Sequence, residues 1–241
     1  MNKLILVTGS TRGLGLAIIK KLLSSEYKVI ATGRKVTEEI IILKKSYPDL
    51  LFFEPFDLIN VDDIKIFVSL VVKKYGRLFG LINNAALGHD GVLATMHESQ
   101  ISELLKVNVE APILLAKYAS RGMLINQSGR IVNISSIIAY TGFNGLSVYG
   151  ASKSALIGFS KSLSRELGKA NITVNCIAPG YMATQMTSDL QGEKLASIIR
   201  RSPMKKLATP NDVAHAVSYL LSDDASLVAG TTITVDAGST A

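Results

Sequence analysis

Tyr149 and Lys153 stand four residues apart in the segment Tyr149-Gly150-Ala151-Ser152-Lys153. On a helix that spacing places both side chains on one face. A phenol with its ordinary pKa of about 10 is a poor acid or base at neutral pH. A nearby ammonium favours the phenolate and brings that pKa down, which makes the pair a candidate for proton transfer near pH 7. Ser135 and Ser136 precede the tyrosine at the end of an apolar run and compete as its hydroxyl partner. Asn108 is followed four residues on by Pro112. Proline has no N–H, so within a helix the carbonyl of residue 108 loses its partner and is free to hold a water.

A second constellation lies near the N-terminus. Thr8-Gly9-Ser10-Thr11-Arg12-Gly13-Leu14-Gly15 follows one apolar run and opens an amphipathic one. Glycines at this spacing allow a tight turn and let backbone approach a pyrophosphate, and the helix start supplies free N–H groups and a positive dipole end. After the next apolar run an acid would hydrogen-bond the ribose of NAD. The sequence there is Ala31-Thr32-Gly33-Arg34-Lys35. Arg34, with Arg12 in the first turn, suits a 2′-phosphate through the two parallel hydrogen bonds a guanidinium donates. The expected cofactor is therefore NADP(H).

The elements that must position these groups follow from the pattern. Strands are predicted at 4–7, 28–32, 51–53, 78–82, 130–134, 173–177 and 232–235. Helices are predicted between them at 16–23, 37–45, 61–75, 99–121, 149–167 and 210–221. The strands are apolar nearly throughout, as strands covered on both faces are. A β-α alternation of this kind implies a mostly parallel, doubly wound sheet that binds its ligands beyond the carboxyl ends of the strands.

The 241 residues are expected to form a single domain with a sizeable core. One cysteine, Cys176, excludes a disulfide framework and a multi-cysteine zinc site, and it reads as a small buried hydrophobe. The only histidines, His89, His97 and His215, are widely spaced, so no metal site is expected. No apolar run approaches the ~20 residues of a membrane span. The first turn comes too early for a signal peptide, and a cytoplasmic location is expected. The net charge of +7 reads mainly as solubility.

The whole chain resembles the short-chain dehydrogenase/reductase family. The motifs that carry the likeness are residues 8–15, Asp57, Asn83-Asn84-Ala85-Ala86, Asn108, Ser136, Tyr149 with Lys153, and Pro179-Gly180. The resemblance implies a three-layer Rossmann fold with a seven-stranded sheet of order 3-2-1-4-5-6-7. It implies Asn108, Ser136, Tyr149 and Lys153 as catalytic residues. Of the two serines it selects Ser136 to hydrogen-bond a substrate carbonyl, and Lys153 would also hold the nicotinamide ribose. Gly9, Ser10, Thr11, Arg12, Gly13, Leu14, Gly15 and Arg34 would bind cofactor, with Asp57 and Leu58 at the adenine and Asn84, Ala85 and Ala86 beside the ribose. Family members usually have glycine where Ala86 stands. Pro179, Gly180, Met182 and Thr184 would embrace the nicotinamide, and residues 185–207 would form a substrate lid.

Within that family the segments 84–90, 129–132, 155–163 and 171–175 are most similar to 3-oxoacyl-thioester reductases. The implied reaction is NADPH-dependent reduction of a 3-oxoacyl thioester borne by an acyl carrier protein or coenzyme A. Gln127 and Ala170 stand where carrier-protein reductases commonly have basic residues, though Arg121 and Lys169 are close by. The alternatives are another ketone or alcohol, such as a steroid, sugar, polyol or secondary alcohol, and, from a different class, an NADP(H)-sensing regulator or nucleic-acid binder. The intact acid–base set argues against the last, so neither nucleic acid nor membrane is an expected partner. A homotetramer or homodimer is implied by the resemblance.

Overall fold

The computed structural model describes residues 3–182 and 192–241. Within them, β1 (Leu4–Thr8), β2 (Lys28–Gly33), β3 (Leu51–Pro55), β4 (Gly80–Asn83), β5 (Gly129–Ile134), β6 (Ile172–Pro179) and β7 (Thr232–Val235) form one sheet. Its order is β3-β2-β1-β4-β5-β6-β7, as expected, and every neighbouring pair is parallel. The order reverses between β1 and β4, so the loops after these two strands diverge and open a crevice at the carboxyl ends.

Side chains alternate across a strand, and both faces of this sheet are dry. Leu4 and Leu6 of β1 face a core built with α3 (Ile64–Tyr75), α5 (Ala111–Asn126) and the end of α7 (Ser147–Leu167). Ile5 and Val7 face the opposite core, with α1 (Gly13–Ser24), Ile40 of α2 (Glu38–Ser46), and α9 (Pro210–Leu221). This two-sided burial explains the uninterrupted apolar strands. Among the described residues, no helix is long and apolar enough to cross a membrane.

One predicted element divides. The helix expected over 99–121 is α4 (Glu98–Leu105), a π-helical turn at Lys106–Glu110, and α5. Pro112 sits in the first turn of α5, where a missing N–H goes unnoticed. The turn before it widens, as helices do where the regular ladder is interrupted. Asn108 occupies the middle of that wide turn.

Candidate active site

The chemistry-bearing side chains converge where β5 ends, the short helix α6 (Ile138–Thr141) follows and α7 begins. Ser135 and Ser136 leave β5 together but do different work. The Ser135 hydroxyl is buried and donates to the Lys153 carbonyl at 2.9 Å, joining strand to helix. The Ser136 hydroxyl accepts from the Ile138 N–H at 3.2 Å and lies close enough to the Tyr149 phenol to favour its ionised form. Tyr149 lies in the first turn of α7 and Lys153 one turn further on, on the same face, as their spacing requires.

Lys153 is 2% exposed, and its ammonium donates to the Ile134 carbonyl at 2.9 Å. Its nitrogen is 5.6 Å from the centre of the Tyr149 ring. Burial lowers the lysine pKa to about 8, with Cys176 acting weakly the other way. The tyrosine is pushed up to about 12, above all by burial. The Ser136 hydroxyl pulls it down, and Asp90 and Tyr181 push it further up. The ammonium was expected to lower the phenol; in this arrangement it is spent on a backbone carbonyl, and desolvation prevails.

Asn108 is buried and its amide is fully engaged. It donates to the Leu87 carbonyl at 2.9 Å and the Ser152 hydroxyl at 3.2 Å, and it accepts from the Leu87 N–H at 2.8 Å. Ser152 in turn donates to the Tyr149 carbonyl at 2.7 Å. The side chain therefore braces the loop after β4 against α7. Beneath the centre runs a buried polar chain. Asn83 donates to Asn133 at 2.8 Å and Asn133 to Ser160 at 2.7 Å, and Ser160 lies 3.1 Å from the Cys176 sulfur. Burial raises the Cys176 thiol to about 11, in keeping with a structural cysteine.

The glycine turn lies on the other side of the crevice. Gly9 has φ +61°, and a methyl group there would come within 2.7 Å of the Ala85 Cα. At Gly15 it would sit 2.1 Å from the Gly9 carbonyl oxygen. Gly13, at φ +53°, instead faces open space with nothing within 4 Å, and no side chain caps the start of α1. The result is a cradle of backbone N–H groups of the kind that receives phosphate. Thr8 and Asn84 hold it in shape. The Thr8 hydroxyl accepts the N–H groups of Asn84 and Ala85, both at 3.0 Å, and the Asn84 amide donates to the carbonyls of Thr8 and Gly9 at 2.9 and 3.0 Å.

The remaining residues of this half differ in what they offer. Ser10 spends its hydroxyl on the Thr32 carbonyl at 3.0 Å. Thr11 packs its methyl over Gly33, and its carbonyl accepts from the Thr37 hydroxyl at 3.1 Å, which brings the glycine turn beside Arg34. Arg12 and Arg34 are both exposed there. Asp57 accepts from the Ile59 N–H at 3.2 Å. Leu58 and Leu14 turn their side chains into the two cores, so what they can present to a ligand is backbone. Ala85 and Ala86 lie half-buried after β4. The Pro179 carbonyl accepts from the Ile137 N–H at 3.0 Å, tying β6 to the Ser136 segment. Gly180 has room for no side chain, since a methyl group would lie 2.7 Å from the Asp236 Cβ. Met182 makes an isolated bridge to Ala208. Thr184 lies outside the described residues, as does the start of the expected lid; α8 (Gly192–Arg201) belongs to its later part.

Three further residues, Asp90, Phe143 and Tyr181, also reach this site. Asp90 is felt electrostatically by both Tyr149 and Tyr181. Phe143 meets the Tyr181 ring edge-on at 6.1 Å, and the Gly91 N–H donates to the Gly145 carbonyl at 3.0 Å. His89 pairs with Glu103 at 3.1 Å.

Residues 9–240 match the protein family described as enoyl-(acyl carrier protein) reductase. The chain is 37% identical over 242 residues to the 3-oxoacyl-[acyl-carrier-protein] reductase of Haemophilus influenzae, covering 98% of each chain. It is 35% identical to carbonyl reductase family member 4 of Xenopus laevis, covering 99% of this chain and 98% of that one. A solved structure of ElxO with NADP bound superposes with a TM-score of 0.90 at 29% identity, covering 99% of both chains.

Proposed function

The chain belongs to the short-chain dehydrogenase/reductase family, and from that premise we propose that it is an NADPH-dependent reductase of 3-oxoacyl thioesters. The observation that carries this reading is the Ser136 hydroxyl brought beside the Tyr149 phenol, over a buried Lys153 and across the crevice from the glycine cradle. The two hydroxyls offer paired donors to one ketone oxygen. Burial keeps the phenol protonated at neutral pH, the form that gives its proton to a developing alkoxide. Lys153 keeps a positive charge close by. The carbonyl of residue 108, which gains no N–H from Pro112, would hold a water that resupplies the proton.

The open cradle at Gly13 fits a pyrophosphate, and Arg34 with Arg12 suits the extra phosphate of NADP(H). Asp57 and residues 84–86 would hold the adenosine, and Lys153, Pro179, Gly180, Met182 and Thr184 the nicotinamide end. When bound, NADPH supplies the hydride. Positioning and stabilisation of negative charge on the ketone oxygen then provide most of the rate. The likeness to the Haemophilus reductase supports the thioester class, and with it delivery on an acyl carrier protein or coenzyme A. An open groove of about 490 Å³ along α4 and α5, with Leu105, Val109, Ile113 and Leu114 in its wall, supports assembly as a homodimer or homotetramer.

A panel of acetoacetyl thioesters, steroid ketones, sugars and simple ketones, followed by NADPH absorbance, tests the reading. The thioesters should show the highest kcat/KM. Preference for a plain ketone would overturn it in favour of the second reading, a general carbonyl reductase, which the Xenopus relative supports.

A further inference from the structure

The last residues of the chain close in a turn that rests against the Pro179-Gly180 segment. Asp236 follows β7 and is 9% exposed. Its carboxylate accepts the Gly238 N–H at 2.9 Å, and the N–H and hydroxyl of Thr240, both at 2.8 Å. Its carbonyl accepts from the Ser239 hydroxyl at 2.7 Å. A nearly buried carboxylate is costly unless it is well hydrogen-bonded, and all of these bonds serve the shape of one turn. Ala237 within it has φ +56°, a conformation that a residue with a side chain seldom adopts unless its surroundings impose it. Two segments are seated on the turn. A methyl group on Gly180 would lie 2.7 Å from the Asp236 Cβ and 2.8 Å from its Cα, and the Gly180 N–H donates to the Val235 carbonyl at 2.9 Å. After α8, the buried Ser202 hydroxyl donates to the Ala237 carbonyl at 2.8 Å, and a methyl group on Gly238 would lie 3.2 Å from the Pro203 ring.

Gly180 therefore has one seat, and the Asp236 backbone sets its depth. Pro179 is held at the same time, since its carbonyl accepts the Ile137 N–H of the Ser136 segment at 3.0 Å. The glycine turn, by contrast, has its own ties through Thr8 and Asn84 and does not depend on the C-terminal turn. We propose that Asp236 is a positioning residue for hydride transfer: by shaping the turn against Gly180, it sets where the Pro179-Gly180 segment holds the nicotinamide relative to Ser136 and Tyr149. This assignment rests on the reading above that the segment receives the nicotinamide end of the cofactor.

The test uses the full chain and two ligands, NADPH and adenosine 2′,5′-bisphosphate, which has the adenosine and the 2′-phosphate but no nicotinamide. Asp236→Ala should weaken NADPH binding by about three- to tenfold, the worth of one hydrogen bond, and leave the bisphosphate within about twofold. With S-acetoacetyl-N-acetylcysteamine as substrate, kcat should fall by about ten- to a hundredfold, as it does when a reacting group is misplaced. Asp236→Asn keeps an acceptor for Gly238 and should lose less on both readouts. A turn that serves folding alone would lower the melting temperature and treat the two ligands alike, and that result would overturn the assignment. Should Asp236→Ala not fold, Thr240→Val removes one donor to the carboxylate and carries the same comparison: NADPH weakened more than the bisphosphate supports the assignment, and equal changes or none overturn it. Gly180→Ala disturbs the segment directly. Selective loss of NADPH in Gly180→Ala but not in the turn variants would overturn the assignment and leave the reading of the nicotinamide end intact, whereas no selective loss in any of them would overturn both.

Discussion

The two walls of the crevice are built to different standards. The glycine-turn wall is cross-tied through buried polar groups. The Thr8 hydroxyl donates to the Ile82 carbonyl at 3.3 Å while accepting two N–H groups, and Asn84 and Ala85 lock the turn from behind. Among the described residues, the opposite wall rests on sparser ties, such as the Gly91–Gly145 backbone bond and the edge contact of Phe143 with Tyr181. It also leaves apolar side chains open, with Val92, Leu93, Phe143 and Met204 all more than half exposed. A dinucleotide presents one shape and needs a rigid cradle, whereas the wall that meets the variable reactant can be re-lined without disturbing the fold. The proposed catalytic residues Ser136, Tyr149 and Lys153 sit on the seam.

The largest effect should come from the seam. Tyr149→Phe should lower turnover by about a thousandfold or more while NADPH affinity, read by fluorescence titration, stays within about twofold. A variant keeping a tenth of the rate would place the chemistry elsewhere. Lys153 comes next, through stability. Its pKa in the folded chain is about 8, against an ordinary 10.5. Folding therefore carries the full penalty of the buried ammonium below pH 8, and the penalty fades as pH rises toward 10.5. Lys153→Met should be inactive yet more resistant to denaturant at pH 7, by up to about 3 kcal/mol, with the gain disappearing near pH 10. A gain independent of pH would contradict the assignment.

The rigid wall is probed by Arg34→Asp, which should shift the ratio of NADPH to NADH affinity by about ten- to a hundredfold without moving the thioester KM at saturating cofactor. An unchanged ratio would remove the 2′-phosphate argument. The smallest effect belongs to the adaptable wall. Phe143→Ala should lower stability by about 0.5–1 kcal/mol and raise thioester KM a few-fold with NADPH affinity unaltered. If NADPH binding fell as well, the two walls would not be separable.

Much of this arrangement is legible in the sequence because it is local. The glycine spacing, the Tyr149–Lys153 interval and the dry strands each follow from short-range chemistry, and together they fix which strand ends matter. The split of the 99–121 helix was half visible, since Pro112 marks the interruption but not the widening at Lys106–Glu110 that absorbs it. The upward push on the Tyr149 phenol was not visible, because it depends on how deeply α7 packs and on the carbonyl Lys153 finds at Ile134. Phe143 carries no spacing signal at all, and Asp90 and Tyr181 fall inside segments marked for other reasons. They meet only after three loops fold over one another, and Thr184 lies outside the described residues.

Cys176 gives the chain a practical property. It has no exposed surface, its thiol is raised to about 11, and it is the sole cysteine. Alkylating and oxidising reagents act on accessible thiolates, so the folded protein is silent toward them. A reporter cysteine placed on either wall can therefore be labelled alone, with no background substitution, and the two walls can be watched separately during turnover.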